Sequence, residues 1–312
     1  MARIELHPDV DDYIVYLSLA EIEARGGIPD IYEDGHMVIV KDYRMKFDFD
    51  ALAQLDNSID SVEDVRVRRT LKKLQATAFF EGAPPTLSKN PFGASKLLFS
   101  NPVRQAVFDV LCRGDRALFD RACASLKEAH EEILRIFSIC FPNYDAFRFI
   151  PSVRLTQTLF ENLHWDNHSI DDDFHQARIF VNLDSRPRIW HVSHRFMDYA
   201  RQLYRDHDLG RFAGKDPNQM VEYINMSLGG TLETWRESLP KHRIAFEPGE
   251  VWLGESRMIS HQIFYGERAM VYMWFVRAAT MSNVDNRFNK RFEKLHEMMQ
   301  GAPTPGATQA IV

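Results

Sequence analysis

Cysteine is scarce: the 312 residues hold three, Cys112, Cys123 and Cys140. An odd number in helical-looking surroundings excludes a disulfide framework and predicts reduced, mostly buried thiols, as in a cytosolic protein. Long apolar runs are missing too. No window approaches the roughly 18 consecutive apolar residues of a spanning helix, so no transmembrane segment is expected. The start, Met1-Ala-Arg-Ile-Glu-Leu-His-Pro, has no apolar signal core, which predicts no export. Basic excess is absent, with a net charge of −6 and a pI near 6.1. Nucleic acid is therefore not expected as a partner, and overall charge does not favour an anionic membrane surface. There is no internal repeat. Together these absences predict a soluble, cytoplasmic protein.

What is present is globular: 45% apolar and 12% aromatic residues in a chain long enough for a full core. Residues 12–25 have helical spacing and are stopped by Gly26-Gly27, and MVIV at 37–40 reads as a strand. Residues 50–82 read as helix with a solvated basic face, 83–95 as an irregular loop, and 101–142 as helix again. From about 147 short strands rich in Val, Ile, Phe and Trp take over. The expected fold is therefore α+β, with helices gathered against antiparallel sheets that roll into a jelly roll. The expected organisation is one domain over 1–282, with helical support at 1–146 and the strand-rich core at 147–282. A helical insertion at 193–242 is too long for a plain connection and reads as a subdomain or lid. A terminal helix at 283–300 and a tail of disordered composition at 301–312 complete the chain.

The chemistry concentrates at His164-Trp165-Asp166. In an extended segment, residues two apart point the same way, so the imidazole and the carboxylate can reach one ion. Two histidines and a carboxylate on one face of an Fe(II) leave three positions open. His261, in a strand-like stretch, is the candidate third ligand. Gly266-Glu267-Arg268 follows and opens the last strand, offering a guanidinium that could pair bidentately with a carboxylate. Arg178 is the rival, on one strand face with Phe180 and Asn182; Arg154 is read as a structural residue beside Thr156 and Thr158. Four-residue spacing between His164 and His168 could also suit zinc on a helix, yet Trp165 stands where the helical zinc motif wants Glu. His175, His191 and His194 read as structural or surface residues, Asp171, Asp172 and Asp173 as solvated loop, and Trp165, Trp190, Trp252 and Trp274 as packing residues.

In the order His164-x-Asp166, His261, Gly266-x-Arg268, the chain resembles the Fe(II)/2-oxoglutarate-dependent dioxygenases over about residues 150–277. The resemblance implies a double-stranded β-helix. It also implies Fe(II) on His164, Asp166 and His261, O2 as oxidant, and 2-oxoglutarate with its distal carboxylate on Arg268 or Arg178. Arg268 departs from the family in following His261 closely and in lacking the usual x-Ser after it. Within the family, NYDAFRFIPSVRL, RIFVNLDSRPRIWHVSHRF and PGEVWLGESRMISHQ are similar to bacterial Kdo hydroxylases, which act at C3 of an octulosonic sugar of lipopolysaccharide.

The expected activity is hydroxylation of an unactivated C–H bond in a small molecule or sugar, with ascorbate as a stimulant. Peripheral membrane contact follows if the sugar is lipid-linked. The carboxylate Asp166 argues against halogenation. Rival readings are a 2-oxoglutarate-dependent hydroxylase of an amino acid or specialised metabolite, a zinc-dependent hydrolase with a helix across 164–168, and a non-catalytic binding module with His261 far from Asp166 or with iron bound but no uncoupled 2-oxoglutarate turnover.

Overall fold

The computed structural model describes residues 1–56, 59, 62–72, 74–79, 87–89, 95–97, 101–155, 162–166, 174–227 and 239–301. The chain begins with strand β1 (Arg3–Glu5), and β2 (Ile14–Leu17) leads directly into helix α1 (Leu19–Ala24). The helix expected over 12–25 is thus only its second half. The β-branched and aromatic run IVYL pairs in parallel with β3, the MVIV strand (Met37–Val40), as such residues prefer. Ser18 then starts the helix with a reciprocal capping box to Glu21. Gly26 and Gly27 end it with φ of 81° and 104°. Between α1 and β3 lies α2 (Pro29–Glu33).

After β3 come α3 (Phe49–Gln54), α4 (Val65–Lys72), the two-residue β4 (Leu74–Gln75) and a hairpin of β5 (Leu87–Lys89) with β6 (Ser95–Leu97). The irregular loop expected at 83–95 therefore contains a paired strand at 87–89; the remainder up to residue 94 is outside the described residues. Helix α5 (Asn101–Ala106) runs into a π-turn, and α6 (Arg116–Cys140) is the long amphipathic helix. Asp115 caps α6 through the Leu118 amide. Its buried stripe of Leu118, Ala122, Leu126, Ala129, Ile133, Ile136 and Cys140 follows helical spacing.

The strand-rich part comprises β7 (Ala146–Arg154), β8 (Phe174–Asn182) and β9 (Arg188–Arg195). Helices α7 (Phe196–Leu203) and α8 (Pro217–Ser227) interrupt it. Then follow β10 (His242–Phe246), β11 (Val251–Leu253), β12 (Ile259–Tyr265), β13 (Ala269–Arg277) and the final helix α9 (Phe288–Gly301). The tail from 302 onward and most of TLETWRESLP, within 228–238, are outside the described residues.

The result is a mixed α+β fold with two principal sheets. One is seven-stranded, β2-β3-β11-β8-β13-β7-β4, and the other four-stranded, β1-β10-β9-β12. Alternation along β8 assigns its two faces. Ala177, Ile179 and Val181 join the core beneath α1, α3 and α6, whereas Phe180 joins a second core shared with Trp190 of β9 and Phe246 of β10. The two sheets thus pack face to face. Stacking of Phe246 on Trp252 (3.8 Å between centroids) and edge contact of Trp190 with Phe180 (4.9 Å) fill the space between them. Asn182 ties the sheets directly, its side-chain amide donating to the Phe246 carbonyl at 3.0 Å. Gly249 makes the turn before β11 possible: φ is 75°, and an added Cβ would sit 2.3 Å from the Met45 carbonyl oxygen.

Candidate metal centre

His164 and His261 meet as an isolated antiparallel bridge, exchanging both backbone hydrogen bonds at 3.1 and 2.9 Å. The Asp166 amide donates to the Ser256 carbonyl at 2.9 Å, so both ends of the His-Trp-Asp stretch are pinned to the strand segment around β12. This backbone brings the three side chains together. His164, Asp166 and His261 each offer one ligand atom, all within 4.8 Å of one another. The two rings lie 4.5 Å apart between centroids.

Histidine orientation is set by the ring nitrogen that faces the backbone. Nδ1 of His164 lies 2.7 Å from the Asn162 carbonyl, and Nδ1 of His261 lies 3.3 Å from that of Ile259. A carbonyl only accepts, so each Nδ1 carries the proton and Nε2 presents its lone pair as the ligand atom. Trp190 stacks on the His261 ring at 5.4 Å, and the residues beside it, Phe180, Met37 and Ile259, form an apolar wall with Ser256 and Gly254.

Asp166 is gripped on one oxygen. Its Oδ2 accepts from the Ser256 hydroxyl at 2.6 Å and from the Arg178 guanidinium, while Oδ1 lies 3.4 Å from Nε2 of His164. Arg178 is buried and also donates to Oε1 of Gln176 at 3.0 Å. Its Nε and the Nε2 of Gln176 are buried with no hydrogen-bond partner among the described residues. Two unsatisfied donors on neighbouring positions of one strand face would suit an anionic oxygen ligand.

Arg268 is placed differently. It precedes β13 on the face that carries Met270 and Tyr272 of the helix-side core. Its guanidinium reaches Glu267 at 3.3 Å and the Leu55 carbonyl after α3 at 3.4 Å, and its backbone amide donates to Asp184. Its Nε is also without a partner among the described residues, but on the side away from the inter-sheet core. The structure therefore brings His164, Asp166, His261 and Arg178 together and does not bring Arg268 to them. Arg154 pairs in register with Ala269; Thr156 and Thr158 are outside the described residues.

The remaining histidines separate cleanly. His191 contacts Gln262 on the outer face of the four-stranded sheet, and His194 stacks on Tyr199 at 5.5 Å. His175 is buried in the helix-side core, 3.5 Å from Glu255. Burial pushes its pKa down to about 4. Burial alone would raise the Glu255 carboxyl, but Arg257 and His175 outweigh it and hold it below the usual range. His168 and the acidic run 171–173 are outside the described residues. Three residues escaped the sequence reading, Gln176, Ser256 and Asn225. Ser256 follows a glycine-containing turn in GESR, which gave no chemical signal.

No family model matches the sequence, and no curated protein matches it. Solved structures do match in fold, among them structures of a non-heme Fe(II) alphaketoglutarate dependent dioxygenase. In particular, they include the Kdo hydroxylase KdoO. Its apo form matches with a TM-score of 0.59 and 14% identity, over 93% of this chain and 99% of that one. Its complex with alphaketoglutarate and Fe(III) matches with a TM-score of 0.58 and 14% identity, over 90% and 95%. The cobalt(II) complex matches with a TM-score of 0.56. At this identity the likeness is one of fold. No described helix is long and apolar enough to cross a membrane.

Proposed function

We propose that this chain is a non-haem Fe(II)/2-oxoglutarate-dependent dioxygenase that hydroxylates an unactivated C–H bond of a small molecule or sugar. The observation that carries the reading is the convergence of His164, Asp166 and His261 within 4.8 Å. Two imidazoles and one carboxylate are the donor set of open-sided Fe(II) sites. In this reading the two packed sheets are the halves of a double-stranded β-helix, an assignment supported by the fold of the KdoO structures.

Fe(II) with 2-oxoglutarate and O2 supplies the oxidising chemistry, in which substrate R–H becomes R–OH while 2-oxoglutarate becomes succinate and CO2. The protein's own residues do the rest. His164 and His261 bind through Nε2, oriented by their Nδ1 contacts to backbone carbonyls. Asp166 binds through Oδ1, because Ser256 and Arg178 occupy Oδ2. Arg178 and Gln176 hold the distal carboxylate of 2-oxoglutarate through their unsatisfied N–H groups. Arg268, bonded to the Leu55 carbonyl, braces β13 against α3. Trp190, Phe180 and Met37 keep water from the ligand face of His261. The substrate proposed first is a Kdo-type sugar hydroxylated at C3, supported by the KdoO fold and by the segments RIFVNLDSRPRIWHVSHRF and PGEVWLGESRMISHQ.

The zinc-hydrolase alternative expects a helix through 164–168, whereas His164 sits in an extended bridge. The vestigial alternative expects either His261 far from Asp166, which the convergence of the two does not meet, or iron bound without uncoupled 2-oxoglutarate turnover, which succinate release in the absence of substrate tests. The test is anaerobic addition of Fe(II) and 2-oxoglutarate, with ascorbate to keep iron reduced. A visible charge-transfer band is expected; no band, with zinc tightly held instead, overturns the reading. Substrate-dependent succinate release across sugar, amino-acid and other metabolite panels then assigns the substrate.

A further inference from the structure

Trp165, between the two ligand residues, is held from the helical insertion. Its amide donates to Oδ1 of Asn225 at 3.2 Å, and its carbonyl accepts from Nδ2 of the same side chain at 2.6 Å. A single carboxamide thus gives this residue both hydrogen bonds that a neighbouring strand would supply. Its flanking residues take theirs from the other direction, His164 from His261 and Asp166 from Ser256. The Trp165 ring extends the same contact, stacking on Tyr199 at 5.4 Å and meeting Phe196 edge-on at 5.6 Å, both on α7.

We infer that Asn225, two residues before the end of α8, is a positioning residue of the metal centre, and that the insertion is built into that centre rather than laid over it. The inference rests on reading His164, Asp166 and His261 as metal ligands. Side chains at 164 and 166 point to one ion only while residue 165 stays extended, since rotating either of its peptide planes swings the two Cα–Cβ bonds apart. Asn225 holds both planes at once. The chemistry at 225 is demanding. A carboxamide presents a donor beside an acceptor, a carboxylate presents two acceptors, and alanine presents neither. Asp at 225 would set an anionic oxygen against the Trp165 carbonyl, at the contact that is now 2.6 Å. Asn225 is half-buried and adjoins the exposed Met226, so a shift of the end of α8 reaches both ligands without touching either.

The test uses Co(II) as the probe on the full chain, comparing wild type with Asn225→Ala, Asn225→Asp and Met226→Ala. Binding is followed by visible absorption, and folding by far-UV circular dichroism and the Tm of the metal-free protein. Wild type and Met226→Ala are expected to bind alike. Asn225→Ala is expected to bind about 10-fold or more weakly, the range for residues that orient ligands, with a shifted Co(II) spectrum. Asn225→Asp, nearly the same size, is expected to be at least as impaired; it decides the matter if the alanine variant does not fold. Wild-type affinity and spectrum in both Asn225 variants would overturn the role of Asn225 while leaving the metal site standing. Failure of wild type to bind Co(II) through His164, Asp166 and His261 would remove the metal reading and this inference together.

Discussion

The two hydrophobic cores on either side of the seven-stranded sheet do different work. The helix-side core is mostly aliphatic, with Ile22, Leu52, Leu71, Leu126, Ile133 and Ile179 packed under α1, α3 and α6. The inter-sheet core is richer in aromatics, among them Trp165, Phe180, Trp190, Phe196, Phe246 and Trp252. Branched aliphatics fill space without direction, whereas flat rings impose orientation. The proposed metal residues lie beside the second: Trp190 stacks on His261, and Trp165 sits between the other two ligands. The two arginines divide along the same line, Arg178 facing the aromatic side and Arg268 the aliphatic one. The difference teaches that the first core supports the sheet, while the second sets the orientation of the residues proposed as ligands.

The sharpest way to break this division is to remove each arginine. Arg178→Ala is expected to abolish the 2-oxoglutarate charge-transfer band and to cost about 3–5 kcal/mol of stability in denaturant melts, because it leaves the Asp166 carboxylate without its buried partner. Arg268→Ala is expected to keep the band and lose about 1–3 kcal/mol. Reversed outcomes would assign the co-substrate to Arg268. Next in size, Trp252→Ala, at a fully buried position, should cost about 3–5 kcal/mol. Because Trp252 backs Trp190 at 5.2 Å, the same change should also weaken metal binding. Ile133→Val in the aliphatic core should cost about 0.5–1.5 kcal/mol and leave metal binding untouched; equal effects on binding would erase the distinction.

A further effect depends on pH and concerns the ionisable pair His175 and Glu255 inside the helix-side core. His175 stays neutral in the folded protein down to about pH 4, while in the unfolded chain it takes up a proton below its ordinary 6.5. Its contribution is therefore full above pH 6.5, falls by roughly 1.4 kcal/mol for each pH step down to about 4, and levels off below. His175→Gln should flatten that part of the stability profile, measured by urea unfolding across the acid range. An unchanged slope would place its origin elsewhere.

The convergence of the candidate residues was partly legible because residues two apart in an extended segment share a side. His164 and Asp166 share a side through strand alternation alone, and His261 lies in a segment whose texture marks it as strand. The MVIV strand, the α6 stripe and the buried tryptophans follow from composition and period. Less local features were not legible. Ile14–Leu17 reads as the start of a helix until β3 is known to lie beside it. Arg178 and Arg268 both begin or occupy strands, and only the sheet's orientation against its two cores shows which face each arginine takes. Asn225 is sixty residues from Trp165, and its role exists only through a contact. The strand at 87–89 is hidden in a stretch rich in turn residues, since its partner at 95–97 lies within the same run.

The His164–His261 bridge has a thermodynamic consequence. Roughly a hundred residues of chain lie between its two sides, including β8, β9, the insertion, β10 and β11, so a metal on both histidines acts as a removable cross-link around that loop. At a free metal concentration of 100 times Kd it adds about 2.7 kcal/mol to the stability of everything the loop encloses. If the proposed site holds a metal, metal supply would set the stability of this loop as well as the proposed chemistry, so the metal-free protein is expected to unfold at lower denaturant than the metal-loaded one.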